Sequence, residues 1–217
     1  MPSIVHYVSA FNSEDTLIKQ SDLIDADYVY TQCPVVTHKL SRVFVGISPI
    51  DFRLKINGTD IECTHPQYIE YDDQHLKSPK PVVQLVFPKF LFWTHEDNIW
   101  FQFTDHPMTA LTNNFIAIGG WFNLSNWSRM SSTAITLVDE TKPVIIKKGD
   151  PLFRVSFHPP NLDEGVILEK EEGVGEREGI LQLWLEHHQK STKDVWKPRL
   201  FSKTKAKSKC PVSFLFT

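Results

Sequence analysis

The sequence predicts a mainly β chain, an antiparallel β barrel or sandwich with one C-terminal amphipathic helix, on three observations. Ring-bearing side chains are abundant, with fifteen Phe and six Trp among 217 residues, and large rings suit pleated surfaces where their bulk meets cross-strand neighbours. Short runs of branched and aromatic residues recur along most of the chain, separated by Pro, Gly, Asn and Asp, which is the punctuation of a sandwich or closed barrel. An Asn-Gly pair joins two alternating segments, the strongest short-range hairpin signal a sequence carries.

Taken in order, Ile4 to Val8 alternates weakly and gives a first strand, and the polar stretch Asn12 to Asp25 follows as a loop or short helix. Arg42 to Ile47 is the next strand, stopped at Ser48-Pro49 because proline cannot donate to a ladder. Asp51 to Ile56, the turn Asn57-Gly58 and Thr59 to Cys63 make the hairpin. Phe52, Leu54, Ile56, Ile61 and Cys63 fall on one face and Arg53, Lys55 and Glu62 on the other, so one face is buried and one is wet. After a break at Pro79 to Pro81, the strands are Val82 to Phe87, Asn98 to Thr104, Phe115 to Ile118, Ala134 to Val138, Val144 to Lys147 and Leu152 to Phe157. Pro88, His106-Pro107, Gly119-Gly120, Thr141 to Pro143 and Gly149 to Pro151 separate them, each with turn chemistry. Asp163 to Glu178 is acidic and Gly-punctuated and reads as an exposed connection. Beyond Gly179, the residues Ile180, Leu181, Trp184, Leu185 and His188 share one face of a helix. The expected organisation is a single domain, with a β-rich core over 1–178 and a helix and basic tail over 179–217 packing on it.

The formal charge of −3 excludes a whole-chain field that would steer it to nucleic acid or acidic lipid. Lys197, Arg199, Lys203, Lys205, Lys207 and Lys209 are the local exception, able to make weak phosphate contacts through counterion release. No apolar run reaches the roughly eighteen residues of a membrane helix, and Ser13, Glu14 and Asp15 interrupt any basic-then-apolar export signal. The expectation is therefore a cytosolic protein without a membrane partner. Cys33, Cys63 and Cys210 are odd in number and scattered, which argues against a disulfide framework and for buried thiols. The apolar stretch Val212 to Phe216 should dock on its own domain or on a neighbouring subunit, so a homo-oligomer is expected.

The candidate ligand-binding residues lie in Asn113 to Arg129: Trp121, Asn123, Asn126, Trp127 and Arg129. Indoles offer stacking area, amides read hydrogen-bond edges and a guanidinium holds a phosphate or carboxylate by a forked contact, a set that suits a base or nucleotide. The competing reading is that Trp121 and Phe122 fill the core while Gly119-Gly120 lets two backbones approach. The candidate metal ligands are His95 and Asp97, which have H-x-D spacing, with His158 as a third. Iron(II) sites of this kind need two imidazoles and one carboxylate on one side; here His106 competes as the partner, and a solvated turn is the plainer account of His95 to Asp97. No P-loop, G-x-S-x-G elbow, G-x-G-x-x-G, Cys-x-x-Cys or H-E-x-x-H is present, so no catalytic residue and no cofactor is expected.

Cys33-Pro34, Phe44 to Asp51 (FVGISPID), Gly119 to Asn123 (GGWFN), Lys148 to Leu152 (KGDPL) and Cys210-Pro211 together resemble a protein family of marine T4-like tailed phages. That resemblance implies a viral origin, with a place in the host cytoplasm or the virion, and carries no catalytic residue. Ser48 to Leu54 and Val144 to Phe157 are similar to strands of the dUTPase and dCTP-deaminase barrel family. The Gly-x-Ile-Asp-x-x-Tyr substrate segment of that family has no counterpart here, so the similarity implies barrel architecture and carries over no activity. The expected function is that of a phage-encoded, non-enzymatic β-rich protein that binds a small nucleotide-like ligand or a protein partner. A virion structural or assembly component and an Fe(II)/2-oxoglutarate-type jelly-roll oxygenase are the alternatives.

Overall fold

Period-two burial runs through the strands of the computed structural model, which describes residues 2–9, 16–24, 33–72, 76–77, 80–126 and 128–171. In chain order the strands are β1 (Ser3–Ser9), β2 (Leu17–Lys19), β3 (Val43–Ile47), β4 (Phe52–Asn57), β5 (Asp60–Cys63), β6 (Ile69–Glu70) and β7 (Val82–Trp93). They continue with β8 (Trp100–Asp105), β9 (Phe115–Ala117), β10 (Gly120–Asn123), β11 (Arg129–Leu137), β12 (Val144–Ile146), β13 (Pro151–His158) and β14 (Val166–Lys170). A short α-helix, α1 (Pro34–Leu40), precedes β3, and a five-residue π-helical turn, Thr109–Asn113, precedes β9. The protein is mainly β, as the sequence predicts. The C-terminal helix, the basic tail, Cys210 and Trp127 lie outside the described residues.

Three sheets share one core. The first has six strands in the order β14-β1-β7-β11-β9, with β6 also on β7; the second runs β10-β8-β13-β3-β2; the third is β12-β4-β5. Phe residues join them. Phe92 of the first sheet meets Phe101 and Phe157 of the second at ring-centroid distances of 5.3 and 5.6 Å, and Phe87 meets Phe52 of the third at 4.9 Å. The high Phe content is thus a sandwich interior in which rings from facing sheets interdigitate. Among the described residues pairing is antiparallel except between β1 and β14, which run parallel in the register Ser3↔Val166 to Tyr7↔Lys170.

A hairpin forms where the sequence predicts one, but its turn is displaced: Leu54↔Cys63 to Asn57↔Asp60 pair across it, so Asn57 is the last residue of β4 and the two-residue loop is Gly58-Thr59, with a φ of 63° at Gly58. A register shift of two leaves each side chain on its expected face. Phe52, Leu54 and Ile56 are buried while Arg53 and Asn57 are exposed.

Four further expectations are corrected. Pro88 does not end its strand, because β7 runs on to Trp93; the ladder with β11 shifts register between Ser131 and Thr133, and a bulge is where a residue without an N–H is tolerated inside a sheet. Ile118 and Gly119 separate β9 from the next strand as expected, but Gly120 already opens β10 rather than belonging to a loop. The supposed connection from Asp163 contains β14, whose Val166 is buried and whose backbone pairs with β1. An edge strand keeps one face wet, so its acidic residues masked it. Cys33 is exposed and Cys63 half-buried, each as a free thiol; Cys33 precedes α1 on the surface, and burial pushes the Cys63 thiol up against a weaker lowering by the backbone of His65. Among the described residues no helix is long and apolar enough to cross a membrane.

Candidate functional site

The second sheet turns one face to the core and one outward. On β8 the alternation buries Phe101 and Phe103 and leaves Trp100, Gln102 and Thr104 on the outer face; on β13 it buries Val155 and Phe157 and turns Ser156 and His158 outward. Register places His158 opposite Trp100, and Trp100 opposite Asn123 of β10. Trp121, opposite Gln102, is diagonal to both, a separation that large rings can bridge. Its indole reaches across β8 to stack on His158, with centroids 4.7 Å apart and planes 28° from parallel, and lies 6.3 Å from the Trp100 ring. Trp121 nevertheless remains 50% exposed and Trp100 39% exposed, an unusual disposition for two indoles in a chain that buries most of its Phe.

β10 is held in place by its own turn. The Leu124 amide donates to the Ile99 carbonyl at 2.8 Å and the Ile99 amide donates to Ser125 Oγ at 2.8 Å. Gly119 permits the approach, since a Cβ there would lie 2.5 Å from the Phe103 carbonyl oxygen.

Cations flank the stacked pair. Arg42 follows α1, and its carbonyl accepts the Phe157 amide at 3.1 Å, which sets residue 42 beside the end of β13. Burial holds His158 below the ordinary imidazole range, and the charges of Arg42 and then Lys39 push it the same way. The ring is therefore neutral at neutral pH. His158 Nε2 and Arg42 Nη1 are both buried and lack a hydrogen-bond partner among the described residues, a cost that an incoming acceptor would relieve.

Of the residues chosen from sequence, Trp121 is part of this surface. Asn123 instead closes the turn, its Oδ1 accepting the Asn126 amide at 3.2 Å, and Asn126 is exposed. Arg129 opens β11. Phe122 packs against the core. The structure does not bring His95, Asp97 and His158 together. His95 lies in the exposed turn after β7, its ring 5.5 Å from that of His6 of the first sheet, while His158 stacks on Trp121 on the second. Among the described residues no group of three His, Cys, Asp or Glu side chains is placed to hold a metal ion. His106 is structural: its Nδ1 accepts the Met108 amide at 3.3 Å and its carbonyl accepts from the Thr109 amide and hydroxyl. Burial, then Arg154, hold His106 below its usual range against an opposing pull from Asp105. Sequence reasoning missed Trp100, Arg42 and Lys39. Trp100 carries a signal, being an indole at an outward position of the alternation that also sets out Gln102 and Thr104.

No protein-family model matches the chain, and no curated protein matches it. Solved structures similar to it include the native EIAV dUTPase, at 11% identity and a TM-score of 0.38 over 72% of this chain and 91% of that one. A second is a mutant Staphylococcus bacteriophage 80alpha dUTPase with dUpNHpp, at 10% identity and a TM-score of 0.34 over 63% of this chain and 80% of that one. At these values the likeness assigns neither a residue nor a reaction to this chain. Nothing in the comparisons bears on the resemblance to marine phage proteins.

Proposed function

We propose that the chain is a non-enzymatic binding protein, encoded by a phage, whose ligand lays a flat ring against Trp121 and Trp100 on the outer face of the second sheet. The observation that carries this reading is the half-exposed Trp121 indole fixed against His158 at 4.7 Å. A ring already held in one orientation loses little freedom on binding, and stacking on it is worth about 1–3 kcal/mol per base. The two neighbouring indoles, with ring centroids 6.3 Å apart, support a small nucleotide-like ligand as the occupant.

Titration of purified protein with adenosine, read by quenching of tryptophan fluorescence, tests it. Saturable quenching in the wild type and its loss in Trp121→Ala, with melting temperature kept, are the expected results. Unchanged binding by Trp121→Ala would remove the site.

A protein partner is the second reading, favoured by one observation: among the described residues β10 ends its sheet, so Trp121 stands on an edge strand where another chain could pair. Mass spectrometry of purified particles separates a virion component from a free intracellular binder.

A further inference from the structure

We infer that the ligand carries an anionic group, phosphate or carboxylate, next to its ring, that Arg42 and His158 receive it, and that its binding draws a proton from solvent onto His158. This rests on the ring-binding reading and names the charge of the ligand. The geometry supplies two unsatisfied polar atoms, Arg42 Nη1 and His158 Nε2, at the end of β13 where Trp121 already lies on the imidazole. A guanidinium nitrogen without an acceptor in a buried position is costly, and an oxyanion is the acceptor for which its geometry is suited.

The groups facing His158 can be named from each packed element. Lys39 comes from α1, Arg42 from the turn before β3, Trp100 from β8 and Trp121 from β10. The two charged ones are cations, and with burial they keep the free imidazole neutral. An arriving anion reverses that balance, because an opposite charge at hydrogen-bonding distance favours the protonated ring. His158 Nε2 then becomes a donor to the anion. The proton comes from solvent, no bond is broken, and affinity rises as pH falls through the neutral range.

Calorimetric titration of the full chain with adenosine, AMP and inorganic phosphate, at about pH 8 and about pH 6 and in buffers of low and high ionisation enthalpy, tests the inference. AMP is expected to bind roughly tenfold tighter than adenosine, with proton uptake seen as a buffer-dependent heat. Arg42→Gln should erase the gain over adenosine, and Arg42→Lys should restore part of it. His158→Phe keeps a ring under Trp121 and should abolish proton uptake on AMP binding; the second ionisation of AMP itself is common to both proteins and cancels in the comparison. Inorganic phosphate competing with AMP but not with adenosine would support a free anion subsite, and a carboxylate-bearing nucleoside matching AMP would extend the class beyond phosphate. Adenosine and AMP binding equally in the wild type, without proton uptake, overturns the anion subsite and leaves the ring surface standing. Binding of neither overturns both.

Discussion

Asn114 takes a φ of 63°, and its amide nitrogen donates to the carbonyls of Asp139 and Lys142 at 2.9 Å each while its Oδ1 accepts the Asp139 amide at 2.9 Å. The side chain therefore ties the start of β9 to the turn after β11. Asn114→Ala should cost about 1–3 kcal/mol through the orphaned carbonyls and amide, and Asn114→Gly should recover only the backbone share; urea unfolding of the three proteins measures both. Asp139, within the same turn, is lowered to about 2 by hydrogen bonds from Thr141 and Lys142. A depressed carboxylate contributes stability above its unfolded pKa and loses it as pH falls toward the folded one. Asp139→Asn should therefore flatten the acid limb of a melting-temperature profile below about pH 4. His106 and His158 are lowered too. Their contribution is complete above the ordinary imidazole value of about 6.5 and declines as pH drops through their folded values. These roles were hard to read from sequence. Asn123 and Asn114 satisfy backbone groups, and an amide that closes a turn has the same sequence signature as one that reads a ligand. Trp121 was legible as an unusual residue, but its partner His158 was not, because their contact depends on a diagonal across β8.

Among the elements, the hairpin β4-β5 was the most legible, since Gly58 marks its turn and alternation specifies its buried face, although Asn57 ends as a paired strand residue and Thr59 takes the second loop position. A Cβ at Gly58 meets nothing within 4 Å, so Gly58→Ala should cost about 1 kcal/mol through the positive φ alone. Gly46 in β3 is the opposite case: a Cβ there would lie 2.2 Å from the Phe153 ring. Gly46→Ala should destabilise by about 1–3 kcal/mol or more through overpacking, and equilibrium denaturation of both variants separates strain from collision. The strands that sequence misjudged share one property: their ladders override local chemistry. β7 passes Pro88 because β7 itself bulges there, Val86 to Lys89 standing against Ser132 of β11, and β14 is a strand because β1 offers it a ladder. Neither partnership is visible in a local window.

At the scale of the whole molecule, the aromatic content foretold a sheet protein but not the number of sheets. Which Phe faces which is fixed only when the sheets meet, as when Phe92 comes within 5.3 Å of Phe101 and 5.6 Å of Phe157. Phe92→Ala should cost about 3–5 kcal/mol by opening a cavity between two sheets, with the denaturation slope unchanged.

The parallel pairing of β1 with β14 has a mechanical result. Tension applied at Ser3 and at Lys170 pulls two codirectional segments past each other lengthwise, so their backbone rungs share the load at once instead of opening one after another. A pull on the hairpin ends Phe52 and Cys63 would instead unzip rung by rung, and single-molecule stretching along the two axes should find the first direction the stiffer.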